Sequence, residues 1–134
     1  MKTVVISGSV SLEEKMKKWD VFWRAKGYKV INYPKPIANG EFAIQYPIIH
    51  QEFYSDLAKA DIHFVANEEN KNIKGYIGPG VYAEIAFRVG LNLTGDTKAS
   101  VILLEQLSPD NPFYDDLKLW LDLGWIGLFK DFNF

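Results

Sequence analysis

The sequence predicts one α/β domain built on a parallel sheet of about five strands with helices on both faces. Three observations carry this. Short β-branched runs alternate with stretches of helical apolar spacing along the whole chain. Glycine or polar turns follow the strand runs. Hydrophobic residues make up 48% of the 134 residues and aromatics 15%, enough apolar surface for a core in a chain of single-domain length.

Thr3 to Ile6 reads as a buried first strand that runs into Ser7-Gly8-Ser9, a tight loop. Ser11 is placed to cap the helix that follows, with Glu14 three residues on as its capping-box partner. Met16, Trp19, Phe22 and Trp23 then recur at helical spacing until Gly27. Tyr28 to Tyr33 is the second strand, ended by Pro34-Lys35-Pro36. Ile37 to Tyr46 has no clear period and reads as a surface loop. The spacing predicts a helix from about Pro47 to Ala60, with Pro47 in its first turn and Ile48, Ile49, Phe53 and Leu57 on one side. Ile62 to Ala66 is the third strand, and Asn67 to Asn72 a polar loop. Gly78-Pro79-Gly80 starts a helix carrying Val81, Ile85 and Val89 that fades by Gly95. Ser100 to Leu104 is the fourth strand. Asn111-Pro112 opens a last helix to about Leu123, leaving Trp125 to Phe129 for a fifth strand at an edge. Strictly alternating strands and helices imply right-handed crossovers, hence a flavodoxin-like or Rossmann-like three-layer sandwich. No linker or repeat divides residues 1–134, so they are read as one domain. In such a sheet a ligand sits at the carboxyl ends of the strands.

Composition excludes several functions. Fifteen basic against seventeen acidic residues give a net charge of -2, and no basic block is present, which argues against polymeric nucleic acid as a partner. No cysteine occurs, so disulfides, thiolate metal sites and cysteine nucleophiles are out, and a reducing, cytoplasmic setting fits. His50 and His63 stand alone, without a second ligand at metal spacing, and no metal or redox cofactor is expected. Val4-Val5-Ile6 is too short for a signal-peptide core, and no apolar run approaches the ~20 residues of a membrane span. A soluble protein without membrane attachment is expected.

Four places could carry chemistry. Ser7, Gly8 and Ser9 follow the first strand, where small residues let a phosphate or sugar hydroxyl approach backbone amides; equally, they form a tight turn and nothing more. Glu84 lies in the second turn of the helix that Gly78-Pro79-Gly80 begins. Its side chain leans toward the helix start, where Gly80 leaves space. The competing reading pairs Glu84 with Arg88 on the helix surface. Asn67, Glu68 and Glu69 follow the third strand and could orient a sugar or base, or simply be solvated. His63, inside the third strand, reads as structural rather than catalytic.

Taken together, these segments resemble the nucleoside 2-deoxyribosyltransferase family, including its relatives that hydrolyse deoxynucleoside 5'-monophosphates at the N-glycosidic bond. The likeness runs through Thr3 to Ser9, through Asp56-Leu57-Ala58-Lys59-Ala60-Asp61-Ile62-His63-Phe64-Val65, and most specifically through Gly78-Pro79-Gly80-Val81-Tyr82-Ala83-Glu84-Ile85-Ala86-Phe87. The resemblance implies that Glu84 is a nucleophile toward the anomeric carbon of a nucleoside or nucleotide, with Ser7, Gly8, Ser9, Gly78, Gly80 and Val81 around the substrate. It also implies an acidic residue at the end of the third strand, and here that position is Asn67, followed by Glu68 and Glu69. Either a neighbouring glutamate supplies the proton, or the leaving group needs no strong acid, or the fold has become a non-catalytic nucleotide-binding module. Ala86 stands where the family has glycine. The family's enzymes are commonly homo-oligomers, and the aromatic tail Phe129 to Phe134 suits either such an interface or this chain's own sheet.

Overall fold

The computed structural model describes every residue, Met1 to Phe134. The chain runs β1 (Thr3–Ser7), α1 (Glu13–Ala25), β2 (Lys29–Asn32), α2 (Phe42–Lys59), β3 (Ile62–Val65), α3 (Pro79–Thr94), β4 (Ser100–Leu103), α4 (Tyr114–Asp122) and β5 (Gly127–Leu128). All four strand pairings are parallel, and the strands lie side by side in the order β2-β1-β3-β4-β5. This is the flavodoxin-like order, so the predicted fold class is the observed one. No helix is long and apolar enough to cross a membrane.

Alternation along the strands divides the core into two layers. Val4 and Ile6 of β1, Ile62 and Phe64 of β3 and Ile102 of β4 point to the α1 side, where Met16 and Trp23 meet them. Val5 points the opposite way against Phe53 and Leu57 of α2. Val65, Val101 and Leu103 pack with Ile85 and Val89 of α3 and Leu117 of α4. Two covered faces explain why β1 and β3 are mostly apolar on both sides, with His63 the polar exception inside β3. Phe129 and Phe134 join the α1 layer against Trp19, Trp23 and Phe64, so the aromatic tail covers the chain's own sheet, where α1 alone leaves part of it bare.

Several expected boundaries shift: the fifth strand is only Gly127–Leu128, with Phe129 opening a 3-10 turn, and the last helix begins at Tyr114. Ser11 does not cap α1: Val10–Leu12 forms a short 3-10 turn, and helical residues begin only at Glu13, with no side-chain cap. Ser11 instead lies 2.6 Å from the Ser9 hydroxyl. The larger difference is α2, which begins at Phe42, so Pro47 lies inside the helix rather than in its first turn. The missing N–H at Pro47 costs one bond near the amino end. That end is held by the Gln45 amide donating to the Glu41 carboxylate (2.6 Å) and by Phe42 stacking on Tyr46, and Tyr46 on His50. The helical period is absent there because the apolar side chains do not face the core: Phe42 is 60% and Ile48 55% exposed, and only Phe53 and Leu57 of α2 are buried.

Candidate active site

Strand β1 leads the chain first to β2 at the sheet edge and then back past itself to β3, so β1 and β3 flank the point where the winding reverses. Ligands of open α/β sheets gather at the strand ends around such a point. Ser7 is the last residue of β1, and Ser7 and Val65 are register partners across β1 and β3. The largest cleft, about 820 Å³, opens here. Its floor includes Gly8 and Glu84, one wall is the segment from Ile31 to Ile37, and the other is the cleft-facing side of α2, with Tyr46, His50 and Asp56. A Cβ at Gly8 would collide with the buried Met16 side chain, so this glycine serves the packing of α1 on β1 as well as access to the cleft.

Glu84 is the chemical centre of this cleft. The Ser7 hydroxyl donates to its Oε1 at 2.7 Å, and no protein donor reaches Oε2. Burial pushes the carboxyl up to about 7, and the Ser7 hydrogen bond acts in the opposite direction. The surface pairing with Arg88 does not form. Arg88 turns inward, is 1% exposed, and donates to the carbonyls of Leu57, Ala58 and Thr97 and to the Asn92 amide oxygen. Glu84 is thus a carboxyl group drawn out of water at the mouth of a sheet with no cation beside it, an arrangement that lowers stability and is found where reactivity is needed.

Behind Ser7 lies His63, fully buried, with Nε2 2.6 Å from the Ser7 hydroxyl. Burial first, and the positive charge of Arg88 second, push this imidazole down to about 3, so it is neutral. Sequence reasoning placed His63 in the strand but had no means of seeing that β1 and β3 bring it to Ser7.

The other expected site residues separate. Asn67 is 2% exposed and wholly occupied: its Nδ2 donates to the carbonyls of Gly75 (3.3 Å) and Glu105 (3.0 Å), and its Oδ1 accepts from the Glu105 amide (2.9 Å). It ties the loop after β3 to the loop after β4 and does not line the cleft. Replacing it with aspartate turns the two donated bonds into a carboxylate facing two carbonyl oxygens. Asn67→Asp is therefore expected to lose about 2–4 kcal/mol in a urea melt; unchanged stability would contradict this role. Glu68 accepts from the Trp19 indole at 3.3 Å, and Ser9 from the Asn70 amide at 3.3 Å. Neither lines the cleft, nor do Gly78, Gly80 and Val81 at the start of α3, although nothing would meet a Cβ at Gly80. What the sequence reading missed is the α2 wall. The four-residue spacing Phe42, Tyr46, His50, Tyr54 was its available signal, and these rings do stack in series.

No protein-family model matches the chain, and no curated protein matches it.

Proposed function

We propose that this protein cleaves or transfers the N-glycosidic bond of a nucleoside or nucleotide, with Glu84 as the nucleophile. The observation that carries the proposal is the half-buried Glu84 carboxyl, held at Oε1 by Ser7 and without a protein partner at Oε2 on a cleft of about 820 Å³, within the range of small-molecule sites. Aromatic rings on the α2 wall give the cleft an apolar side suited to a base, and the likeness of Gly78 to Phe87 to the nucleoside 2-deoxyribosyltransferases agrees with the role of Glu84.

In the first half-reaction Glu84 Oε2 bonds to the anomeric carbon as the bond from that carbon to the base nitrogen breaks. The departing base takes the electron pair and a proton. The developing positive charge on the sugar is stabilised by the same carboxylate. Asn67 has no role in the proton step; the imidazole of His50, which lines the cleft, is a donor available to the base. The glycosyl ester then passes its sugar to water or to a second base, regenerating the Glu84 carboxylate. Glu52, Asp56 and Glu84 outnumber Lys35 along the lining, which favours an uncharged nucleoside over a 5'-phosphate.

The test is to follow free base by chromatography from a panel of deoxynucleosides and their 5'-monophosphates, with and without an acceptor base. Base release or exchange supports the proposal, and no turnover of any member defeats it. Because only the ionised carboxylate attacks, kcat/KM is expected to rise with pH through about 7, where Glu84 loses its proton. A profile flat across neutrality would remove Glu84 from the nucleophile's role.

A further inference from the structure

We propose that His63 is a positioning residue that acts on Glu84 through Ser7, setting which way the Ser7 hydroxyl points and so which carboxylate oxygen is presented to the cleft. The inference rests on the glycosidic reading for its catalytic consequence, but its geometry stands apart from that reading.

The argument is one of hydrogen-bond inventory. The Ser7 hydroxyl has one proton and two close partners, His63 Nε2 at 2.6 Å and Glu84 Oε1 at 2.7 Å. An ionised carboxylate can only accept, so the hydroxyl proton goes to Glu84. The hydroxyl must then accept from His63, which puts the imidazole proton on Nε2. His63 Nδ1 is left bare, and it has no donor partner in the interior. The chain Nε2–H to Oγ–H to Oε1 therefore runs one way, from the buried ring to the carboxylate, and each link strengthens the next. With Oε1 engaged, Oε2 is the oxygen free to react.

The groups acting on this chain come from three elements. Arg88 of α3 lowers the affinity of His63 for a second proton, which keeps the ring neutral and its single proton available to Ser7. Tyr54 of α2 feels the Glu84 charge from the far side, its hydroxyl being pushed up by burial and then by that carboxylate. Ser7 of β1 is the only protein group that donates to Glu84.

The first experiment needs no substrate. In ¹⁵N-labelled wild-type protein, well above the Glu84 transition, the His63 ring nitrogens are expected to report the neutral Nε2–H tautomer. An Nδ1–H tautomer or an imidazolium there overturns the proposal. The second is a cycle of Ser7→Ala, His63→Leu and the double variant, with the Glu84 carboxyl followed by ¹³C shift as pH is changed. Ser7→Ala raises the Glu84 transition, because the hydrogen bond removed favours the ionised form. His63→Leu raises it less, and adding His63→Leu to Ser7→Ala moves it no further, the non-additivity expected of groups acting in series. Additive shifts in the double variant overturn the relay, as does a His63→Leu chain whose Glu84 titrates as in wild type. His63→Gln, which can still donate to Ser7, restores the wild-type transition and guards against mere loss of packing.

If base release is found, His63→Leu is expected to lower kcat ~5- to 10-fold with KM little changed. An unchanged kcat contradicts the positioning role. If no nucleoside reacts, the glycosidic reading fails on its own, and the tautomer and titration arms still decide the relay.

Discussion

Replacing Glu84 with glutamine is expected to abolish glycosyl chemistry while making the protein more stable above neutral pH. Activity falls on the order of 10³-fold or more, since the amide cannot form the glycosyl ester or offset the charge on the sugar. Stability moves the other way because Glu84 is held at about 7 against an ordinary 4.5. Below that ordinary value both folded and unfolded chains carry the proton, and burial of the neutral acid costs nothing extra. As pH rises toward 7 the unfolded chain releases its proton first, so folding becomes less favourable. Above 7 the folded chain carries a half-buried carboxylate at a cost in stability. Glutamine keeps an acceptor for the Ser7 hydroxyl and never ionises. Its advantage should be on the order of 2–3 kcal/mol at about pH 8 and vanish at about pH 4, read from urea melts at both values. A glutamine variant less stable than wild type at the higher pH would mean that the charge is structural. The opposed signs fit a site that gives up stability for reactivity.

Arg88→Ala is expected to be strongly damaging to the fold. The guanidinium donates to the carbonyls of Leu57 and Ala58 in the last turn of α2, to Thr97 before β4, and to Asn92, which itself holds both the amide and the carbonyl of Ala99. No carboxylate pairs with it; every ion pair in the molecule joins residues three or four apart on a helix, with at least one partner well exposed. Such pairs contribute little. The buried cation at the negative end of α2 fastens α2, α3 and the β4 approach together. Truncation leaves carbonyls unpaired in the interior and a cavity beside β3. The expected loss is about 3–5 kcal/mol, or roughly 10 °C or more in Tm. Arg88→Lys recovers only part, because an ammonium cannot match the guanidinium's fork. A drop of less than about 1 kcal/mol for the alanine variant would refute the role.

The fold was legible because its determinants are local and repeated. β-branched runs ended by turns marked β1 to β4, and apolar spacing marked α1 and α3. The amino half of α2 was not legible because its rings face the cleft and solvent, which erases the core-facing period on which a helix is recognised. Glu84 was legible as a candidate, but its state was not: whether it paired with Arg88 or sank beneath a hydroxyl depended on Arg88 finding carbonyls on α2, contacts that no local pattern encodes. Asn67 occupies the position where the resemblance implied an acid, and the structure gives that position a different task, joining two loops. His63 needed the β1–β3 register, since only the pairing of Val5 with His63 sets the imidazole beside the end of β1.

The central claim is that Glu84 forms a covalent bond to the sugar. A nucleoside whose sugar carries fluorine at the 2-position slows breakdown of such an ester and lets it accumulate. Incubation with this probe, followed by mass spectrometry of the intact chain and its peptides, should show one glycosyl adduct, on the peptide containing Glu84, and none in Glu84→Gln. Base release without an adduct, or an adduct that persists in the glutamine variant, would contradict the account.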